Sequence, residues 1–181
     1  MPRRPRVNLV GHPQHVVQRG HNREACFFAE EDYRFYLHWL RESARKYGCA
    51  VHAYILMTNH VHLLLTPATP LGLPRLMQSL NRRYAQHINR GYRRSGSVWE
   101  GRYKASLINA EEYLLACQRY IELNPVRADM VADPGQYRWT TSARPCSGAC
   151  RWATIASANR WELPGQEGGA ATKRQTRRRA C

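Results

Sequence analysis

The middle of this chain has no acidic residues: none stands between Glu42 and Glu100. That gap argues against a nuclease centre in which several carboxylates surround a metal. No apolar run approaches the roughly 18 to 20 residues that a membrane helix needs, so no membrane association is expected. The basic start, Met1-Pro2-Arg3-Arg4-Pro5-Arg6, lacks the apolar segment of a secretory signal. A soluble, cytoplasmic protein is the expectation. The six cysteines are scattered without a framework spacing and are expected to be reduced, several of them in the core. Cys146 and Cys150 form the one close pair, and no histidine accompanies them. The chain has no internal repeat.

What remains is strongly basic. The 181 residues carry 28 Lys+Arg against 13 Asp+Glu, a net charge of +15. Arg45, Lys46, Arg75, Arg82, Arg83, Arg90, Arg93 and Arg94 all fall in the acid-free stretch. A solvated surface normally mixes signs, so this pattern points to a polyanion, with nucleic acid first. The excess is nearly all arginine, which forks onto phosphate and stacks on bases. An acidic membrane surface is the weaker alternative, because no amphipathic terminal helix is present.

The hydrophobic periodicity predicts a β-α-β-β-α-β-α order. Residues 15–20 read as a strand. Residues 30–47 read as a helix, with Tyr33, Tyr36, Leu37, Leu40 and Ala44 at helical spacing and Gly48 closing it. Residues 49–57 and 60–66 read as a hairpin turning at Thr58-Asn59. Residues 73–90 read as a helix whose buried stripe is Leu73, Leu76, Met77, Leu80, Tyr84 and Ile88; its arginines lie off that stripe. Residues 98–108 read mostly as strand, broken near Gly101. Asn109 and Glu112 form an apparent capping box for a helix that runs to Asn124, where Pro125 stops it. The fold class is therefore α+β: a ferredoxin-like, RRM-like antiparallel sheet with helices packed on one face.

The chemistry centres on Met57-Thr58-Asn59-His60-Val61-His62-Leu63-Leu64-Leu65. On a strand, the period of two puts His60 and His62 on one face. Such a pair is half of a metal site and is ambiguous alone. On the last helix Tyr113, Cys117, Tyr120 and Asn124 follow i, i+4, i+7, i+11 beside Leu114 and Ile121, so that face is expected to point inward. If this helix packs near the histidine strand, His60, His62 and the Asn124 carbonyl would bind one divalent ion, with Tyr120 beside it. Three protein ligands would leave positions open for a phosphate, and an N,N,O set suits Mn²⁺ or Mg²⁺. Tyr113 is the rival nucleophile, but it lacks the Asn-Pro sequel. His15 and His52 read as structural.

Several separated motifs resemble those of a known family. Leu56-Met57-Thr58-Asn59-His60-Val61-His62-Leu63-Leu64 resembles the His-hydrophobe-His motif of IS200-like single-tyrosine (HUH) transposases. Val98-Trp99-Glu100-Gly101-Arg102-Tyr103-Lys104-Ala105 looks like their strand before the catalytic helix. Arg119-Tyr120-Ile121-Glu122-Leu123-Asn124-Pro125-Val126-Arg127-Ala128 is similar to that helix in the branch associated with repetitive extragenic palindromes (REP). Tyr137-Arg138-Trp139-Thr140-Thr141-Ser142 resembles the closing aromatic segment. The resemblance covers about residues 7–144.

It implies the HUH endonuclease fold and cleavage and rejoining of single-stranded DNA beside a REP-like hairpin. Tyr120 would form a 5′-phosphotyrosine link and free a 3′-hydroxyl. His60, His62 and Asn124 would hold Mg²⁺ or Mn²⁺; classical relatives use glutamine in the third place. Arg75, Arg82, Arg83, Arg90, Arg93, Arg94, Arg102 and Lys104 are the expected DNA contacts. A monomer is favoured over a homodimer with sites shared in trans. Residues 1–144 would form the transposase domain, and residues 145–181 a divergent, partly disordered basic tail. Two alternatives stay open: a catalytically inactive nucleic-acid-binding module, and a metal-dependent phosphodiester hydrolase without a covalent tyrosine.

Overall fold

Val16, Val61, Leu63 and Leu65 alternate along two paired strands, and all are buried on one sheet face. That alternation sets the architecture. The structure, a computed structural model, describes residues 9–109 and 111–142. The side chains of Glu111 and Glu112, and with them the expected capping box, lie outside the described residues, as does the tail 145–181.

Four strands form one antiparallel sheet: β1 (Gln14–Arg19), β2 (Cys49–Met57), β3 (His60–Pro67) and β4 (Lys104–Leu107), in the order β2-β3-β1-β4. This is the ferredoxin-like order. Helices α1 (Glu30–Tyr47) and α2 (Gly72–Gly91) cover one face. Tyr36, Leu40 and Ala44 of α1 meet Leu73, Leu76, Met77, Leu80, Tyr84 and Ile88 of α2 over Val16, Val61, Leu63 and Leu65. Each large side chain removed from water here contributes about 1.5–3 kcal/mol. Gly48 ends α1 at φ 62, the left-handed position that costs glycine nothing.

A third helix, α3 (Glu111–Glu122), packs on the opposite sheet face, against β2 and β3. There Ala53, Ile55, Met57 and Leu64 meet Ile121, with Leu114 and Cys117 alongside. The expectation of helices on one face therefore holds for the two crossover helices, and α3 takes the other. Residues 137–142 then run along the outer edge of β2. Leu56 N donates to Trp139 O at 2.9 Å, and Tyr54 N donates to Thr141 Oγ1 at 2.7 Å. This strap satisfies backbone groups that an edge strand would otherwise expose.

Two boundaries differ from the sequence reading. The strand expected over 98–108 is regular only at Lys104–Leu107, because the chain turns at Gly101 with φ 71. Trp99 still bridges to Gly20. Pro125 does not end helical structure. It opens a short further helix, α4 (Asn124–Arg127), in the first-turn position where a missing N–H costs nothing.

The N-terminus of α1 is tied to the C-terminal end of α2 through Asp32. Its buried carboxylate accepts from Phe28 N, Ala29 N, His87 Nε2 and Tyr92 Oη at 2.8 to 3.1 Å. Burial opposes its charge, but these four donors outweigh that and hold its pKa below the usual carboxylate range. The stability this confers is present above the ordinary carboxylate pKa and is lost as pH falls through the lowered one. Asp32→Ala should cost about 2–4 kcal/mol in urea unfolding at neutral pH. The gap from the parent protein should narrow as the solution is acidified.

Candidate active site

His60, His62 and Leu64 project from the face of β3 opposite to Val61, Leu63 and Leu65, toward α3. The two imidazole centroids are 4.9 Å apart with planes at 71°. The expected pairing on one strand face is therefore present.

Each ring is held by its Nδ1 atom. Asn59 Oδ1 lies 2.6 Å from His60 Nδ1. The Asn59 amide nitrogen donates to Arg23 O at 3.0 Å, so the oxygen faces the imidazole. An amide oxygen only accepts, so His60 Nδ1 carries the hydrogen and Nε2 keeps its lone pair. His62 Nδ1 lies 2.9 Å from His15 Nε2, and the two rings meet edge to edge and nearly coplanar, with centroids 5.1 Å apart and planes at 14°. His15 comes from β1, where it stands opposite Leu64. Sequence reasoning set it aside as structural. Its signal was the alternation His15, Val17, Arg19, but linking that face to the histidines needed the β1–β3 register.

The rings are neutral. Burial lowers the pKa of His62 to about 3, with help from His60, His15 and Arg19. Burial and then Arg19 lower His60, and burial lowers His15. Neutral imidazole is the form that binds a metal. Arg19 pairs with His60 across the sheet, so it is a cation on the histidine face that sequence reasoning missed.

Tyr120 stands against this cluster. Its ring is 6.0 Å from His62 and 6.1 Å from His15, edge-on to both. It is 42 % exposed, so the phenol is open to a ligand. Arg127 on α4 places its guanidinium 4.9 Å from the Tyr120 ring centre, a second cation not anticipated. The expected inward face of α3 needs correction. Ile121 is buried, with Leu114 and Cys117 half-buried beside it against the sheet. Tyr113 is 67 % exposed and is not packed inward, whereas Tyr120 sits at the rim. Tyr113 lies at nearly the same angle as Tyr120 but two turns, about 10 Å, earlier along α3.

Asn124 follows one turn later. Its amide nitrogen donates to Tyr120 O at 2.9 Å and Ile121 O at 3.3 Å. Pro125 cannot donate to Ile121 O as a regular helix would require, and the Asn124 side chain supplies that donor. The amide nitrogen is thus spent on α3, which leaves Oδ1 as the atom available to a cation. Among the described residues no group of three or more His, Cys, Asp or Glu could hold a metal ion.

The expected DNA contacts divide between the two sheet faces. Arg75, Arg82, Arg83, Arg90, Arg93, Arg94, Arg102 and Lys104 are all exposed. Arg75, Arg82 and Arg83 line a cleft of about 390 Å³ on α2, remote from the histidine face, and Arg83 packs 3.9 Å from the Trp39 ring centre. Arg82 and Arg102 border a second cleft of about 500 Å³ with Trp99 and Tyr103. Lys104 pairs with Val17, which pairs with His62, so it shares the histidine face. His52 bonds to Thr66 Oγ1 at 2.7 Å, toward the far end of β3.

The family described as "Transposase IS200 like" matches residues 9–124. A REP-associated tyrosine transposase, solved bound to a REP hairpin, is 14 % identical. It has a TM-score of 0.66 and covers 90 % of this chain and 100 % of its own. At that identity the likeness speaks for the fold alone. A candidate transposase from Deinococcus radiodurans is 23 % identical over 67 % of this chain and 96 % of its own, with a TM-score of 0.45. No curated protein matches. Among the described residues no helix is long and apolar enough to cross a membrane.

The lowered pKa of His62 has a measurable consequence in metal-free protein. An unfolded histidine takes up a proton near 6.5, whereas folded His62 resists until about 3. Stability should therefore rise with pH between these values. His62→Phe should flatten that slope by up to about 1.4 kcal/mol per pH unit. Urea unfolding in a chelator across this range measures it, and an unchanged slope would contradict a neutral, buried His62.

Proposed function

The chain belongs to the IS200-like transposase family, and from that membership and the geometry of the site we propose that it cleaves and rejoins single-stranded DNA beside a hairpin. Tyr120 is the nucleophile. The observation that carries this is the Tyr120 ring, half exposed and about 6 Å from His62, whose Nε2 is the ring nitrogen not held by His15.

His60, His62 and the Asn124 carbonyl would hold a divalent ion, Mn²⁺ or Mg²⁺. When bound, that ion supplies polarisation of the scissile phosphate and stabilises charge on the departing oxygen. Tyr120 Oη attacks the phosphorus and gives its proton to water. The bond from phosphorus to the 3′ oxygen breaks, and that oxygen takes up a proton as a free 3′-hydroxyl. The 5′-phosphotyrosine link preserves the phosphodiester energy, so a second 3′-hydroxyl can displace Tyr120 by the reverse path. Arg127, Arg19 and Lys104 are cations suited to the phosphate on this face.

The similar REP-associated transposase was solved with a REP hairpin, and a REP-like hairpin is the DNA we propose here. Arg75, Arg82 and Arg83, with Arg90, Arg93, Arg94 and Arg102, would hold its backbone. Tyr120 meets the histidines of its own chain, which supports a monomer acting in cis.

Incubation with Mn²⁺ and hairpin-bearing single-stranded DNA should give a covalent protein–DNA adduct on a denaturing gel. Chelation should abolish it, and Tyr120→Phe should remove adduct and cleavage together. Cleavage that survives in Tyr120→Phe favours a hydrolase that uses water; binding without cleavage in the parent protein favours a binding module. Arg82→Ala should weaken hairpin binding and reduce the slope of log K against log salt by about 0.9, one phosphate contact.

A further inference from the structure

We propose that His15 is a positioning residue for metal binding: it accepts the Nδ1 hydrogen of His62 and so turns the Nε2 lone pair of His62 toward the site. The inference rests on the metal reading given above, and goes beyond it by assigning work to a residue outside the ligand set.

The two histidines of the pair are held differently. Asn59 Oδ1 can only accept, so His60 has one possible neutral tautomer. His15 Nε2 can either accept from His62 Nδ1 or donate to it across 2.9 Å. In the donating arrangement His62 would carry its hydrogen on Nε2 and have no lone pair for a metal. In the accepting arrangement His62 is Nδ1-protonated and Nε2 is free. Metal binding thus selects the state in which His15 holds its own hydrogen on Nδ1.

Geometry makes His15 suited to that work. His62 is 6 % exposed, so its Nδ1 has little water to turn to. The rings are nearly coplanar, with centroids 5.1 Å apart and planes at 14°, so the hydrogen bond runs in the plane of both, along the lone-pair direction of each nitrogen. Both rings stand on paired central strands, where backbone bonds hold them in place. A metal-ligating histidine usually needs such a partner on its second nitrogen, and losing one weakens metal binding by about 10 to 100-fold.

The test measures Mn²⁺ binding to the full chain without DNA, by calorimetry, with thermal unfolding as the check on folding. The parent protein should bind Mn²⁺, and His60→Ala should abolish binding. His15→Phe keeps the ring but removes the acceptor, and should weaken binding by about 10 to 100-fold. His15→Gln offers Oε1 where Nε2 stood and should recover most of that loss. Parent-like binding by His15→Phe, or no recovery in His15→Gln, overturns the role of His15 while leaving the metal site intact. Absence of His60-dependent Mn²⁺ binding in the parent protein overturns the metal reading and this inference with it. Nitrogen NMR of ¹⁵N-histidine-labelled, Mg²⁺-loaded parent protein reads the tautomers directly, whatever the variants' folding. His62 hydrogen on Nδ1 supports the proposal, and hydrogen on Nε2 overturns it.

Discussion

The antiparallel register of β1 against β3 is the constraint on which the site depends. It sets Val17 against His62, His15 against Leu64 and Arg19 against His60. Because side chains alternate, one register puts Val16, Val61, Leu63 and Leu65 under the helices α1 and α2 and leaves His15, Arg19, His60 and His62 together on the other face. A slip by one residue would bury imidazoles under the helices and expose leucines to the site. The same apolar burial that stabilises the sheet therefore fixes the chemical face.

The chemical face sets neutral imidazoles among the cations Arg19, Lys104 and Arg127. Burial keeps the imidazoles neutral, and Arg19 reinforces this by opposing further positive charge. Neutral rings whose Nδ1 atoms are occupied present Nε2 atoms, which is what a divalent ion requires. The break between α3 and α4 has its own local cause. Pro125 interrupts the hydrogen-bond ladder, and Asn124 repairs it with its side-chain nitrogen. That repair fixes the amide beside Tyr120 and frees its oxygen.

Much of this was legible in the residues. The spacing of Leu73, Leu76, Met77, Leu80, Tyr84 and Ile88 marked the buried stripe of α2, and the helix lies at Gly72–Gly91. The hairpin and the shared face of His60 and His62 followed from period-two alternation. The fold class followed from element order, because the short connections leave few topologies open. What failed was decided by contacts the linear pattern does not carry. Tyr113 and Tyr120 share one side of α3 by spacing, yet Tyr113 stands two turns earlier along the axis at 67 % exposure, while Tyr120 meets the His15 and His62 rings. The strand over 98–108 was overdrawn because Gly101 takes a left-handed turn.

By itself the sequence determined the periodicities, and with them the helices, the hairpin, the pairing of His60 with His62 and the basic character of α2. These are local properties, set by side chains a few residues apart on one element. Only the tertiary structure decided that His15, 47 residues from His62, shares a hydrogen bond with it. Only it showed that Tyr120, which the Asn-Pro sequel favours over Tyr113, lies about 6 Å from the His15 and His62 rings, and that Arg75, Arg82 and Arg83 line a cleft on α2, remote from the histidine face. The reason is physical: such proximities depend on strand register and helix rotation, which are fixed by burial across elements far apart in the chain.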